Sequence, residues 1–417
     1  MKIAINGRFL TKPHTGIGVY TRQLFSAFAR LYPESEIVMF TPGDAQSGGH
    51  GSTGVDSNAA AGNAPAFNFP PNIKIVTVPE KFPGTGGMKK TFWEQVQVPA
   101  AIAKTNPDIA HFPYPSNPWR GRIGARGSTT SQPGARKAPV VVTVHDVIPW
   151  TLSAYRKSVS TRLYQERCRR AVAKADLVIT VSQSSKNEII RICNVPEENI
   201  IVIPNAPAPE FFCRFTATEA APVLQKYGIN PLRKYFLYSG GYDPRKNVPM
   251  VVKTWLEKIA RFHEVDLVLA GGKSHESGIY SSYDLTDLDL SHSLGSSKGK
   301  IVFTGFVKDE DFPVLYQFCH AFINLSQSEG FNLPLLEAGV SGVPTVASDI
   351  PVHREVAGKY AEFCPPDDPA ALSQILEKLV TDKSFHQNKK NASQKYECPY
   401  SWGKSATLLM QTYKRLI

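Results

Sequence analysis

Short runs of apolar, largely β-branched residues recur along the chain, separated by stretches of helical periodicity. In the first half they are Ile3 to Ile5, Ile37 to Phe40, Ile75 to Val78, Val140 to Val144, Leu177 to Val181 and Ile200 to Ile203. A second series opens at Tyr235 to Tyr238 and continues through Leu267 to Ala270, Ile301 to Phe303, Ala321 to Leu325 and Thr345 to Ala347. Strands that are apolar without alternation belong to parallel sheets covered by helices on both faces, where neither side meets water. The pattern predicts an α/β chain of two doubly wound domains. Their boundary falls in the proline-rich stretch Pro204 to Pro209, so the first domain takes residues 1–207 and the second 208–398, with a last helix over 399–417. Ligands of such sheets bind at the carboxyl ends of the strands, which are expected to face a cleft between the domains. Two stretches break the alternation. Gly43 to Ala66, within an insertion near 43–70, is dominated by Gly, Ala, Ser and Asn, and Arg120 to Lys137, near 120–138, mixes Arg and Lys with Gly, Ser and Pro. Neither holds enough apolar surface to order itself, and both are expected to be mobile loops.

Composition narrows the class. A chain of 417 residues exceeds what one hydrophobic core usually supports, in keeping with two domains. No apolar run approaches the roughly 18 residues of a membrane span, and Met1 to Gly7 read as a first strand rather than a signal peptide, so a cytoplasmic protein is expected. Cys168, Cys193, Cys213, Cys319, Cys364 and Cys398 form no C-x-x-C pair, which argues against a zinc site and a disulfide framework. The formal charge is +11, and nearly all of the excess lies in residues 1–210, so the two halves face different partners. Nucleic acid is the obvious candidate for a basic half, but there is no RRM, KH or zinc signature and no stripe of interleaved aromatic and basic residues.

The candidate chemistry sits where the strands end. After the strand closing at Leu325 comes Ser326 to Gly339, in which Pro334 suits the first turn of a helix because it has no amide hydrogen to leave unsatisfied. Glu329 is then on the loop and Glu337 about one turn inside the helix. The amides of Gly330, Phe331, Asn332 and Leu333 are placed to meet phosphate or hydroxyl oxygens at a helix amino terminus. The bland alternative is an ordinary strand–loop–helix with two solvated glutamates. Tyr238 to Asn247 leaves the first strand of the second domain through Gly240 and Gly241, which permit close backbone approach, to Arg245 and Lys246, cations suited to a phosphate. In the first domain His145 and Asp146 follow Val140 to Val144 directly, and Gly16 and Gly18 open the helix that runs to Arg30. A dinucleotide fingerprint would need a third glycine there, which is absent. Asp309-Glu310-Asp311 imitates a metal-binding D-x-D but reads as the capped start of a helix around Leu315, so no metal and no cofactor is called for.

The E-x7-E spacing of Glu329 and Glu337 with Gly330-Phe331 after the first glutamate, followed by Ser341-Gly342-Val343-Pro344 and Ser348 to Glu355, resembles the retaining glycosyltransferases of family 4. The likeness spans most of the chain and is strongest from Tyr235 to Pro369. It implies a GT-B fold, two Rossmann-like domains facing a cleft, with the last helix returning to the first domain and Trp402 as packing. By that resemblance Glu329 lies against the donor hexose, Glu337 binds the ribose hydroxyls, Lys246 contacts the diphosphate with Arg245 beside it, and backbone near Val307 meets the base. His145 is implied beside the transferred sugar, the Gly16 and Gly18 loop near the reaction centre, and Asp146 in an acceptor-facing or a structural role. This sequence departs from the family at Gly241, where an arginine is common. His145 to Pro149 and Gly339 to Pro344 are similar to bacterial mannosyltransferases that build surface polysaccharide on a polyprenyl carrier. The resemblance therefore implies GDP-mannose as donor, a saccharide or lipid-linked saccharide as acceptor, and work at the inner face of the plasma membrane, where a basic acceptor domain is attracted to anionic lipid. The alternatives are a UDP-sugar transferase of the same fold and a sugar-nucleotide-binding protein without catalysis.

Overall fold

The computed structural model describes residues 1–43, 68–119, 123, 137–156, 158–271 and 297–417. All of the Gly43 to Ala66 insertion except Gly43, and all of Arg120 to Lys137 except Ile123 and Lys137, lie outside the described residues.

The chain divides into two compact units. The first comprises Met1–Thr151, Arg156–Asn205 and Trp402–Ile417, the second Leu152–Tyr155 and Ala206–Ser401. The division thus comes two residues before the expected boundary, the terminal piece of the first unit begins at Trp402 rather than at residue 399, and a four-residue segment from within the first array is assigned to the second unit. In the first unit β1 (Lys2–Asn6), β2 (Glu36–Thr41), β3 (Ile73–Thr77), β4 (Ile109–Phe112), β5 (Val140–Thr143), β6 (Leu177–Thr180) and β7 (Ile200–Val202) form one sheet in the order β3-β2-β1-β4-β5-β6-β7. Every pairing is parallel, with Ile3 opposite both Ile37 and Ile109. The second unit repeats the plan with β8 (Lys234–Ser239), β9 (Val265–Ala270), β10 (Ile301–Gly305), β11 (Ala321–Asn324), β12 (Thr345–Ser348) and β13 (Glu362–Cys364), in the order β10-β9-β8-β11-β12-β13 and again parallel.

Two strands were not foreseen. β4 reads Ile-Ala-His-Phe, and its His111 interrupts the apolar run; the ring is fully buried, its Nδ1 2.5 Å from the Tyr413 hydroxyl and its Nε2 2.8 Å from Thr143 Oγ1. β13 is only three residues long. The double covering is visible residue by residue in β8. Phe236 and Tyr238 pack with Leu267, Leu269 and Ile323 in one cluster, while Tyr235 and Leu237 pack with Val268, Ala270 and Phe322 in another. Alternate side chains of one strand therefore enter two cores, as a sheet clad on both faces requires. In the first unit the terminal helix Trp402–Lys414 lies on Gly16–Leu31, with Trp402 buried 6.4 Å from the Tyr20 ring and Tyr413 5.9 Å from Phe28.

Each strand order reverses once, between β1 and β4 and between β8 and β11. Loops leaving the carboxyl ends of those neighbouring strands diverge and open a crevice, the usual ligand position in doubly wound sheets. In the second unit the diverging loops are those that carry Gly240 to Lys246 and Ser326 to Asn332.

Candidate functional site

At the end of β8 the chain turns at Gly240, whose φ is +129°. Gly240 N–H donates to Ala270 O at 2.9 Å and Gly271 N–H to Gly305 O at 3.1 Å, so glycines end three adjacent strands. A Cβ on Gly271 would stand 2.2 Å from Gly240 O, which explains glycine there by contact as well as by its φ of +138°. Asp243 then caps the short turn Pro244–Lys246 by accepting from Arg245 N–H at 3.1 Å. That turn delivers two cations to one carboxylate from the other diverging loop. Arg245 Nη1 is 2.6 Å from Glu329 Oε2, Lys246 Nζ is 2.5 Å from Oε1, and Arg245 also donates to Ser328 O at 3.0 Å. Gln327 N–H donating to Arg245 O at 2.7 Å fastens the loops backbone to backbone.

The triad is largely removed from water, with side-chain exposures of 18% for Arg245, 13% for Lys246 and 8% for Glu329. Burial works against the Glu329 carboxylate, but the Arg245 and Lys246 charges and their hydrogen bonds win and hold it well below the usual carboxylate range. Lys246 is pulled the other way: burial lowers its ammonium, Arg245 lowers it further, and Glu329 only partly restores it. Asp243 also stands 3.5 Å from Arg245 Nε, so two carboxylates and two cations balance formally within the cluster.

Glu337 has a different environment on the helix Leu333–Ser341. Tyr316 donates its hydroxyl to Oε2 at 3.3 Å and shares a 2.5 Å contact with Ser239 Oγ. Burial raises this carboxyl to about 7, against the Tyr316 hydrogen bond and with a smaller push from Asp309. The two glutamates of the motif therefore have opposite electrostatics, one permanently ionised and one poised near neutrality.

Between them the loop is held by Asn332, left-handed at φ +73° and buried. Its amide donates to Asn324 Oδ1 at 3.0 Å and to His353 Nε2 at 2.7 Å. Because that nitrogen accepts, the His353 proton is on Nδ1, which faces Ser348 O at 3.0 Å and Ser348 Oγ at 2.9 Å. Burial holds His353 neutral, down at about 4. The Asn332 side chain is thus engaged within the protein and shapes the loop, apart from the backbone amide on which the donor expectation rests. Gly330 and Phe331 are buried, Phe331 5.4 Å from the Tyr400 ring, and Leu333 opens the helix with Pro334 next, as the sequence predicts.

Two further expectations are corrected, and one is left as it stood: Val307 is 1% exposed and packs in the core with Leu315 and Val314, which concerns its side chain and not the backbone expected near a base. Asp311 takes the N-cap position of Phe312–Phe318 but makes no capping hydrogen bond; its carboxylate receives Lys226 Nζ at 2.7 Å and Tyr227 OH at 2.6 Å instead. Gly18 is a packing glycine: a Cβ there would stand 2.3 Å from Lys12 O, and its amide is used by Thr15 Oγ1 at 3.2 Å. Gly16 is the opposite case, exposed and with nothing within 4 Å of a Cβ.

His145 stands beyond the end of β5, half-buried, its ring 4.7 Å from Tyr20 in an edge contact. Its Nε2 meets Pro113 O at 2.9 Å. A carbonyl only accepts, so Nε2 carries the proton and Nδ1 keeps a lone pair. Burial lowers this imidazole to about 4. Asp146 Oδ1 accepts from Ile148 N–H at 2.9 Å and opens the helical turn Ile148–Thr151, the structural option for that residue.

Sequence reasoning missed two groups. Glu94, wholly buried, accepts from the hydroxyls of Tyr114 and Tyr164 at 2.8 Å each, and Tyr114 is 3.3 Å from Asn6 Nδ2 at the β1 end of the first unit's reversal. Tyr155, in Ser153–Tyr155, donates its hydroxyl to Asp243 in a short hydrogen bond. The sequence separations are 70 or more residues for Tyr164–Glu94 and 88 for Tyr155–Asp243, beyond the reach of any local pattern. Among the described residues no cluster of three or more His, Cys, Asp or Glu side chains is arranged to hold a metal.

Comparison with known proteins bears on both units. Residues 14–210 match Glycosyltransferase Family 4 and residues 222–396 match Glycosyl transferases group 1. O-antigen chain mannosyltransferase B of Escherichia coli is 31% identical over 280 residues, which is 66% of this chain and 70% of that protein. The serotype-specific mannosyltransferase WbdA of Escherichia coli is 27% identical over 279 residues but only 33% of its length is matched. Among solved structures, sucrose-phosphate synthase from Thermosynechococcus elongatus superimposes with a TM-score of 0.70 at 19% identity, covering 100% of this chain and 99% of that one. The lipopolysaccharide-biosynthesis glycosyltransferase WaaG gives 0.69 at 14% identity over 99% of both chains, and Anabaena HepE in complex with UDP gives 0.67 at 17% identity over 100% of both.

Proposed function

Since the chain belongs to glycosyltransferase family 4, with two Rossmann-like units of the GT-B class and hexosyl transfer as its activity, we propose that it moves mannose from GDP-mannose to a saccharide or polyprenyl-linked saccharide with retention at the anomeric carbon. The observation that carries the reading is the buried Arg245–Lys246–Glu329 triad at the strand-order reversal of the second unit. Mannose is supported by the names of the relatives, each matched over 66% of the chain.

In this reading the donor diphosphate meets Arg245 and Lys246. As the glycosidic bond breaks, negative charge grows on the departing phosphate oxygen, and those cations stabilise it in a water-poor setting where each is worth more than in bulk solvent. The acceptor hydroxyl attacks from the same face, and the leaving phosphate takes its proton. Glu329, ionised at every working pH, accepts from the hexose hydroxyls and steadies positive character at the anomeric carbon. Glu337 in its ionised form accepts from the ribose hydroxyls, and the amides of Gly330 to Leu333 serve oxygens at the helix start. His145, neutral with a free Nδ1, accepts from a substrate hydroxyl. Open space at Gly16 leaves room for substrate against the backbone. No metal or cofactor enters the scheme.

The second reading, a UDP-sugar donor, rests on the HepE structure, whose title names UDP. Titrating the protein with GDP-mannose, GDP and a set of UDP-sugars, following slow donor hydrolysis and thermal stabilisation, separates the two; preference for UDP-glucose over GDP-mannose overturns the mannose assignment. At the level of partners, we place the protein on the cytoplasmic membrane face. Among the described residues no helix is long and apolar enough to cross a membrane. On the helix Val159–Val172, Val159 and Leu163 are 79% and 52% exposed beside Arg162 and Arg170, a pairing suited to an anionic lipid surface.

A further inference from the structure

The Glu329 site lies at the carboxyl ends of the second sheet. The amino ends of the same strands border a separate recess of about 760 Å³, set where β8, β11 and β12 begin and closed by the helix Lys383–Gln394. Small-molecule sites usually have volumes of about 300 to 1,000 Å³. The lining contains Arg214, Arg233, Lys234, His320, His386 and Lys390 and no aspartate or glutamate.

These cations are not equivalent. Arg214 is tied to backbone, donating to Val340 O at 2.9 Å, and Arg233 is paired with Asp266 at 2.8 Å. Lys234 and Lys390 have no acidic partner among the described residues, although both lie close enough to lower the charging of His320 and His386. The two imidazoles are stacked, centroids 4.0 Å apart and planes 9° from parallel. Each gives its Nε2 proton to a carbonyl, His320 to Leu379 O at 2.9 Å and His386 to His320 O at 3.0 Å. Each therefore keeps an Nδ1 lone pair that can take a proton. Burial comes first among the causes that keep both rings neutral, followed for His320 by its neighbour His386. The Ser341 hydroxyl, on a residue 5% exposed that lines the same recess, has no hydrogen-bond partner.

Two unpaired ammonium groups, two protonatable rings and an unpartnered hydroxyl around a concavity without a carboxylate form a positive field that the protein itself does not neutralise. We propose that this recess is a second ligand site, for a tetrahedral dianion, free or carried as a small phosphomonoester. Lys234 and Lys390 meet its charge, and its arrival draws protons onto the stacked histidines. Arg214, Arg233 and the buried Cys319 thiol also line the recess, and none supplies a negative charge that would substitute for the ligand. The site is independent of the glycosyl-transfer reading, since it shares no residue with the Glu329 centre.

Calorimetric titration of the full chain with inorganic sulfate, which stays fully ionised, tests this at about pH 6 and about pH 8 in buffers of different protonation enthalpy. A hexose phosphate forms the second arm. Expected are binding that strengthens toward the lower pH with net proton uptake, retention of that binding in Lys246→Ala, and about tenfold weakening when Lys234→Gln and Lys390→Gln are combined. His386→Gln should bind sulfate with reduced proton uptake, and Lys390→Gln alone, a change at a partly exposed side chain without an ion pair among the described residues, should give part of the loss. Tighter binding of the hexose phosphate than of sulfate identifies an ester as the ligand, and equal binding identifies the free anion. Absence of binding, binding unaffected by the paired lysine changes, or binding lost in Lys246→Ala overturns the proposal, the last because the anion is then in the donor site.

Discussion

Glu329 and Glu337 are eight residues apart and of one chemical type, yet the structure gives them different work. Glu329 is locked by Arg245 and Lys246, and removing its charge leaves Lys246 without its ion-pair partner and Arg245 with Asp243 alone. Breaking a buried pair in this way typically costs about 3 to 5 kcal/mol, so Glu329→Gln should melt well below the wild type. Because a nucleotide diphosphate replaces the missing negative charge, GDP should raise the melting temperature of Glu329→Gln by more than it raises that of the wild type. Transfer should fall by about a hundredfold or more, the scale of losing one preorganised electrostatic contact. Equal stabilisation of both proteins by GDP in a thermal-shift titration would refute the shared-charge account. Glu337 carries the pH dependence. Its carboxyl is raised to about 7, so folding favours the protonated form and stability from this group is present at low pH and lost as pH rises through about 7. Donor binding has the opposite sign, because only the ionised form accepts two hydroxyls. GDP affinity should therefore increase as pH rises through about 7, and Glu337→Gln should bind weakly at all pH values with a flatter profile. Calorimetry across that range decides it.

At the level of elements, the helix Gly16–Leu31 begins with two glycines of unlike purpose, and the pair separates folding from catalysis. Gly18→Ala drives a methyl to 2.3 Å from Lys12 O, a backbone atom that cannot step aside. Overpacking of this kind costs about 1 to 3 kcal/mol, and the variant should lose stability. Gly16→Ala meets open space and gains about 0.5 to 1 kcal/mol of helix propensity. If Gly16 is left bare for substrate, Gly16→Ala should melt at or above the wild-type temperature while transfer falls; unchanged transfer would remove Gly16 from the site. These assignments also mark what was legible in the sequence. Apolar runs located eleven of the thirteen strands among the described residues, because burial on both faces leaves a continuous apolar signature. β4 escaped because buried His111 is polar by type and apolar by environment, and β13 because three residues carry no pattern. Residue types at strand ends located Glu329, Lys246, Arg245 and His145, since the carboxyl edge is fixed by topology. Direction was not legible. Val307 turns its side chain inward and Asn332 points its own to His353, each decided by a neighbour from another element, while Gly18 gives its amide to Thr15, the cap of its own helix.

At the level of the whole molecule, the division into units has a consequence for the donor site. Leu152–Tyr155 is assigned with residues 206–401 although its flanks, Thr151 and Arg156, belong to the first unit. Through Tyr155 this segment holds Asp243, which caps the turn that carries Arg245 and Lys246. A fragment beginning at Ala206 therefore contains every residue assigned to the donor nucleotide but lacks the hydroxyl that restrains Asp243. Tyr155→Phe in the intact chain removes the same hydroxyl and little else, and losing one hydrogen bond to a charged group costs about 1.5 to 3 kcal/mol. If the restraint matters, Tyr155→Phe should weaken GDP binding by about tenfold or more, from the lower end of that range, while the position of the Glu337 pH dependence stays put, because Glu337 is on the helix Leu333–Ser341 with its own partner, Tyr316. The fragment should bind GDP no better than Tyr155→Phe does. Wild-type affinity in either protein, measured by calorimetry with GDP, would show that Asp243 is set by its own turn and that the second unit needs nothing from the segment before Arg156.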